Sequence, residues 1–291
     1  MKVRFGRSRG RVLAVAALAA IVASTVPGAA PASAATGSDG SGLADAITSF
    51  VTSTLSGVAQ ATDGGAARSE HWGVITRNTI GSPVAALRNG PYGSYGGTGD
   101  ASEPPYGTGS LGIEVADNST SQSPGAEKVD FGNEVDFYGD SVLDLEQVGF
   151  HVFQTSENVS NGGPTNLPGI RFEIDPNVGT GQSDNYSVLV WQPDAVPVAS
   201  LNRWSPYLDA TTSGTWYLTG GETSCTQGTP CTFTGLKQSL DDGGNAPTIL
   251  TASISKGRDH LWVGAVDGLR INDDIYDFEA GGVNARRVGR G

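Results

Sequence analysis

The sequence has little charge, little sulfur and a single long apolar run. Charged residues make up 16% of the 291 positions and there is one methionine, whereas about a quarter of an average protein is charged. Glycine, in contrast, occurs 42 times, about twice its usual share of ~7%. This composition disfavours long helices rich in Lys, Glu and Leu, and it favours short strands joined by turns.

The apolar run lies near the N-terminus. Residues 12–23 are apolar, five Lys and Arg residues precede them, and the small residues Ala32-Ser33-Ala34 follow. This order is typical of a secretory signal peptide, so we expect residues 1–34 to be removed after Ala34. The run of 12 residues is shorter than the ~20 that a membrane span needs. The sequence therefore predicts a secreted, extracellular protein with no membrane span.

The charge that is present is strongly acidic. The formal net charge is −12, and without the five basic residues of the signal peptide the chain keeps 13 basic against 30 acidic residues, a net charge of −17. A nucleic-acid partner requires a basic surface for its phosphates. We therefore predict no nucleic-acid partner.

The sequence has one pair of cysteines. Cys225 and Cys231 are six positions apart, and two cysteines alone cannot complete a structural zinc site. In an oxidising compartment this spacing predicts a disulfide that closes a small loop.

The pattern along the chain predicts an all-β fold. A spacer at 35–68, with an amphipathic helix over 43–60, precedes a β-sandwich domain at 69–283, and residues 284–291 form a basic tail. Alternation of apolar and polar residues is clearest where Ile170, Phe172 and Ile174 share one face of a strand. Strands at this spacing predict a two-sheet antiparallel sandwich of jelly-roll type. The predicted strands are 72–77, 110–115, 128–137, 148–154, 169–174, 186–191, 214–218, 248–255, 261–271 and 275–279, and one helical turn is predicted at Lys237–Leu240.

One pair of carboxylates points to catalysis. If the strand at 128–137 is regular, Glu134 and Asp136 lie on the same face, as glycoside hydrolysis requires of its two acids. The segment resembles the Glu-x-Asp-x-Glu signature of laminarinase-like retaining glycosidases with a concanavalin A-like sandwich. The resemblance implies Glu134 as nucleophile and Asp136 as the assisting acid. Tyr138, or Gly139 in the longer variant of the signature, stands where that family has its acid/base Glu. The scattered His71, His151 and His260 are more typical of packing than of a catalytic triad.

Aromatic residues favour a binding function instead. The rings of Tyr and Trp stack on the apolar faces of sugars and bury much surface per residue. Trp216 and Tyr217 are adjacent, so only one of them should face the core. The predicted ligand-binding residues are Tyr92, Tyr95, Tyr106, Trp191, Trp204, Tyr207 and Trp216.

No cofactor motif is present. The acidic segments 241–245 and 272–274 could ligate a structural Ca²⁺, which prefers carboxylate and carbonyl oxygens. Asp, Asn and Gly also form ordinary turns, and we favour turns at both places. The metal ligands are therefore unknown from the sequence.

The second half of the chain carries a broader resemblance. The segments 166–176, 209–216 and 266–279 are similar to those of uncharacterised secreted bacterial sandwich domains, and the closing strand resembles those of jelly-roll carbohydrate-binding modules. This implies a fold and no catalytic residues. The leading hypothesis is a secreted non-enzymatic binding domain for a polysaccharide or another cell-envelope glycan. The alternatives are a laminarinase-like hydrolase that uses Glu134 and Asp136, and a structural protein of the extracellular surface or matrix.

Overall fold

A computed structural model describes residues 67–91, 103–117, 126–162, 165–178, 186–195 and 201–288. All of them belong to one compact unit, residues 60–291. The predicted signal peptide and the predicted helix at 43–60 lie outside the described residues. Among the residues that are described, no helix is long and apolar enough to cross a membrane.

The described residues of this unit form fourteen strands and one short α-helix. The strands are β1 (Ala67–Ser69), β2 (Trp72–Val74), β3 (Val84–Asn89), β4 (Gly109–Val115), β5 (Lys128–Asn133), β6 (Val148–Gln154), β7 (Gly169–Asp175), β8 (Ser187–Gln192), β9 (Leu208–Asp209), β10 (Thr215–Leu218), β11 (Thr248–Gly257), β12 (Trp262–Ile271), β13 (Asp274–Glu279) and β14 (Gly282–Arg287). Each of the ten predicted strands has a counterpart among β2, β4–β8 and β10–β13, but β2 and β5 end before the predicted ends at 77 and 137. Strands β1, β3, β9 and β14 were not predicted.

The strands form two antiparallel sheets. Sheet 1 has the order β1-β14-β13-β12-β4-β3, with β6 beside β12 and β9 beside β6. Sheet 2 has the order β10-β8-β7-β11-β5-β2. The predicted all-β, two-sheet antiparallel sandwich is thus confirmed, and its jelly-roll connectivity stays a prediction. Strands β1 and β14 extend the sandwich on both sides of the expected range 69–283, and residues 284–287 of the expected tail pair with β13.

The core lies between the two sheets. Strand β7 turns Ile170, Phe172 and Ile174 inward with no solvent exposure, as its alternation predicts. Across the sandwich, Phe150 of β6 packs edge-on against Trp191 of β8 at 5.4 Å between ring centroids. An aromatic contact of this geometry contributes about 0.5–1.5 kcal/mol beyond the burial of its area. Because β7 is fixed by this inner face, its alternate side chains must point away from the core.

Sheet 1 divides along strand β12. One edge of β12 pairs with β4 over residues 262–266 and then with β13 over residues 269–271. At the division, the fully buried carboxyl group of Asp267, whose pKa burial raises to about 8, accepts hydrogen bonds from the backbone N–H groups of Phe278 (3.0 Å) and Tyr106 (3.1 Å). The side chain thus supplies acceptors to backbone donors at the place where the strand ladder is interrupted.

A disulfide and the helix close one side of the sandwich. Cys225 and Cys231 are joined with an S–S distance of 2.01 Å, which confirms the predicted pair. Helix α1 (Phe233–Leu240) follows, and Thr232 caps it by accepting a hydrogen bond from the N–H of Gly235 at 3.1 Å. The helix therefore begins four residues before the predicted turn at Lys237, because its first turn buries Phe233.

Candidate functional site

A groove of about 590 Å³ lies on the outer face of sheet 2. It crosses one end of five adjacent strands, from β10 through β8, β7 and β11 to β5. With strands about 4.8 Å apart, this crossing spans roughly 19 Å. We call it the sheet-2 groove. Its charged or hydrogen-bonding side chains are Lys128, Thr165, Arg171, Gln192, Asp194, Thr215, Tyr217, Ser255, Lys256, Arg258 and Asp259.

Strand alternation places these side chains in the groove. On β7, Arg171 lies between the inward-facing Ile170 and Phe172, so it projects outward. On β10, Trp216 is fully buried and its neighbour Tyr217 lies half-buried on the opposite face. The prediction that only one of these two aromatic residues faces the core is confirmed.

A buried carboxylate holds two cations of the groove. Asp130 of β5 is 1% exposed and accepts hydrogen bonds from Arg171 Nη1 at 3.2 Å and Lys128 Nζ at 3.3 Å. Ser255 Oγ donates to its other oxygen. One carboxylate is thus shared by two cations, and both cations are held in place by a group that ligands from outside cannot reach.

The margin of the groove adds two more cations. Lys256 is buried and its Nζ donates to Asp259 at 2.5 Å, while Arg258 on the following turn is exposed. Burial lowers the pKa of both Lys128 and Lys256, and their carboxylate partners oppose that shift. The margin also has an exposed acid, Asp194, which accepts a hydrogen bond from the N–H of Gly214 at 2.9 Å.

A second buried carboxylate lies on the same outer face, further along β7. Glu173 accepts hydrogen bonds from Tyr186 Oη at 2.6 Å, Asn78 Nδ2 at 2.7 Å and Thr251 Oγ1 at 3.1 Å, and Arg77 forms an ion pair with it. Burial raises the pKa of Glu173, but the hydrogen bonds from Asn78, Tyr186 and Arg77 outweigh burial and lower the pKa overall. Glu173 is therefore an ionised structural acceptor rather than a source of protons.

The segment that holds Glu134 and Asp136 is not part of a strand. Strand β5 ends at Asn133, and Asn133 Oδ1 accepts hydrogen bonds from the N–H groups of Val135 and Asp136 at 2.9 Å each, which turns the chain. The placement of both acids on one face of a strand was therefore wrong. Glu134 forms an ion pair with Arg77, and Asp136 contacts other residues.

Asp136 belongs to a polar cluster at the edge of the sandwich. His71 Nδ1 lies 2.6 Å from Asp136 Oδ1, and Ser69 Oγ donates to Asp136 Oδ2 at 3.0 Å. Burial raises the pKa of Asp136, but hydrogen bonds from His71, Asn133 and Ser69 outweigh burial and lower it. In a catalytic triad the serine bonds to the histidine, whereas here both residues bond to the acid. This cluster is therefore not a triad.

The expected aromatic ligand-binding residues fall into three groups. Trp191 and Trp216 are fully buried in the core, so their rings are closed to a ligand. Tyr106 and Tyr207 flank His151 on the outer face of sheet 1, with centroid distances of 6.0 and 5.7 Å. Trp204 packs edge-on against Phe153 nearby, at 5.7 Å. Tyr92 and Tyr95 lie outside the described residues.

The segments considered for Ca²⁺ form turns. Asp242 Oδ1 accepts a hydrogen bond from the N–H of Gly244 at 2.9 Å, and Asn272 Oδ1 accepts one from the N–H of Glu146 at 2.7 Å. In the described parts of the chain, no group of three or more His, Cys, Asp and Glu residues could hold a metal ion.

Sequence reasoning missed the groove residues Lys128, Arg171, Lys256 and Arg258. A signal for Arg171 was present, because the alternation of β7 already places it on the outer face. Comparisons with family models, curated proteins and solved structures find no match for this chain. The site therefore rests on its own geometry.

Proposed function

We propose that this domain is a secreted, non-enzymatic binding module for a polysaccharide or another cell-envelope glycan, and that the sheet-2 groove holds the glycan chain. The observation that carries the proposal is the groove itself. Most of its lining side chains carry charged or hydrogen-bonding groups, and the buried carboxylate of Asp130 holds three of them, Lys128, Arg171 and Ser255.

The shape of the groove suits a chain rather than a compact small molecule. It runs across the strands for roughly 19 Å, and its volume of about 590 Å³ is in the range of ligand sites. A glycan chain could lie along it and contact several strands at once.

The chemistry of the groove suits sugars. Hydroxyl groups both donate and accept hydrogen bonds, and Gln192, Thr215 and Arg171 offer partners of both kinds. Tyr217 adds an aromatic ring that is half-buried beside them, on which the apolar face of a sugar ring could stack. Because Asp130 already holds Arg171, little side-chain freedom is lost on binding.

The positions of the acids favour binding over hydrolysis. Glycoside hydrolysis needs two carboxyl groups on either side of one bond, one of them protonated. Two buried acids on the outer face of sheet 2, Asp130 and Glu173, are occupied by cations and hydroxyl groups. Glu134 and Asp136 are engaged with separate partners.

The proposal includes secretion of the protein and a jelly-roll connectivity of its strands. The predicted signal peptide, the acidic net charge and the disulfide fit an extracellular module. A jelly-roll connectivity and a concanavalin A-like resemblance fit a carbohydrate-binding role, and both are proposed here together with it.

The proposal is tested by a pull-down of the purified protein with insoluble polysaccharides and cell-wall sacculi, and each supernatant is assayed for reducing sugar. We expect retention on at least one polymer without release of sugar. Tyr217→Ala should abolish retention, and Tyr138→Ala, which alters a tyrosine that is 70% exposed on the turn after β5, should not. Release of reducing sugar, or equal retention of both variants, would contradict the proposal.

A further inference from the structure

The distribution of charge over the molecule is uneven. The expected mature chain has 13 basic and 30 acidic residues. Four of the basic residues line the sheet-2 groove, and they are Lys128, Arg171, Lys256 and Arg258. In the described part of the chain, three acidic residues accompany them there, Asp194 and Asp259 in the lining and Asp130 beneath it. The groove is thus locally cationic in a strongly acidic protein.

We infer that the ligand of the groove is an anionic glycan, a chain whose sugars carry carboxylate or phosphate groups. This inference rests on the proposed function and specifies its ligand class. An acidic protein repels a polyanion everywhere except where its cations gather. A neutral glycan would need no such concentration of positive charge.

Three features of the cations suit the binding of oxyanions. Arg171 and Lys128 are held by the shared Asp130 at 3.2 and 3.3 Å, so one negative charge is divided between two positive charges. The guanidinium group of Arg171 has five donors, of which only those on Nη1 contact Asp130. Arg258 is exposed at the margin, where it can reach a substituent of a passing chain. Arginine is suited to carboxylates and phosphates alike because its planar donors bind two oxygens together.

The acids of the groove limit its affinity. Asp194 is exposed at the margin and adds a negative charge close to the cations. An Asn at this position keeps the carbonyl oxygen that can accept the hydrogen bond from the N–H of Gly214. Removal of this charge should strengthen the binding of an anionic glycan by about two- to fivefold, the range expected for one exposed charge pair.

The test measures the affinity of the purified protein for polygalacturonate, for its methyl ester, and for a phosphodiester-linked teichoic acid. The first two probes have the same sugar with and without the negative charge, and the third distinguishes phosphate from carboxylate as the bound group. We expect binding to at least one charged polymer, weaker binding to the methyl ester than to polygalacturonate if carboxylate is the group, and a severalfold loss of affinity in 0.5 M salt because the charges are screened.

Variants locate the effect in the groove. Arg258→Gln should weaken binding of the charged polymer by about two- to fivefold, and Arg171→Gln by about tenfold or more. Asp194→Asn should strengthen it. The matched control is Arg203→Gln, which removes an exposed arginine of the segment that is hydrogen-bonded to β6 of sheet 1. Because Arg258 and Asp194 are exposed, their variants keep the test decisive if Arg171→Gln fails to fold.

The outcomes separate the two levels of the proposal. If a neutral glycan or the methyl ester binds as tightly as the charged polymer, and Tyr217→Ala abolishes that binding, the groove binds glycans but the anionic class is wrong. If the charged polymer binds and Arg258→Gln and Arg203→Gln weaken it equally, the inference is also overturned. If no glycan binds, the inference fails together with the proposed function.

Discussion

The buried Asp130 offers a direct test of how the groove is built. The substitution Asp130→Asn keeps the shape of the side chain and removes its charge, so it leaves Arg171 and Lys128 without their carboxylate. These two side chains are 18% and 14% exposed, and the carboxylate is 1% exposed. Removal of one partner from a buried ion pair costs 3–5 kcal/mol, and the partial exposure of both cations reduces the expected loss to about 3 kcal/mol.

Urea unfolding followed by tryptophan fluorescence measures this loss. The free energy of unfolding of a folded domain is about 5–15 kcal/mol. A loss of about 3 kcal/mol should therefore lower the urea concentration at the midpoint of unfolding clearly. The matched control is Asp194→Asn, which removes an exposed carboxylate from the same groove and should change the free energy of unfolding by less than about 0.5 kcal/mol. If Asp130→Asn behaves like its control, Asp130 does not hold the cations in place and the organisation described here is wrong.

Three further predictions concern the rest of the sandwich. Replacement of Cys225 and Cys231 by Ser should lower the free energy of unfolding by about 2–3 kcal/mol, because the disulfide closes a short loop; chemical denaturation of both proteins measures it. Asp267→Ala should cost about 2–5 kcal/mol, since two backbone N–H groups lose their acceptor, and an unchanged unfolding midpoint would refute this role. Burial lowers the pKa of His151 from 6.5, so folding favours the neutral ring, and the free energy of unfolding should decrease as the pH falls below 6.5 through the lowered pKa. In His151→Gln this decrease in the free energy of unfolding at low pH should be smaller. If the variant and the unchanged protein have the same dependence of stability on pH, His151 does not contribute to it.

The core strands could be predicted from the sequence because apolar and polar residues alternate along them, and the apolar residues are the buried ones. In β7, Ile170, Phe172 and Ile174 repeat at every second position, and all three are fully buried. Strand β3 escaped prediction because it is an edge strand with no fully buried residue. Strand β14 escaped because its polar, basic composition resembles a tail, while its pairing with β13 comes from backbone hydrogen bonds.

The error at Glu134 has a specific cause. Its segment alternates like a strand, but the side chain of Asn133 binds the backbone N–H groups of Val135 and Asp136 and turns the chain. Local hydrogen bonds of this kind compete with strand pairing. They cannot be predicted from the pattern of apolar and polar residues.

The groove itself was beyond a reading of the sequence. Arg171 and Lys128 are 43 positions apart in the chain and meet only because both β5 and β7 pair with β11. Their outward direction follows from alternation, but their neighbourhood depends on the order of strands in the sheet. The ligand site was predicted from aromatic residues instead, and two of these, Trp191 and Trp216, form part of the core.

Binding of a glycan in the sheet-2 groove can be tested by hydrogen–deuterium exchange of the purified protein, with and without a polymer that retains it in the pull-down. We expect slower exchange in peptides that contain Arg171, Tyr217 and Arg258, and no change in the peptide over 201–209 on sheet 1. Protection confined to residues 201–209, with the groove peptides unchanged, would contradict it.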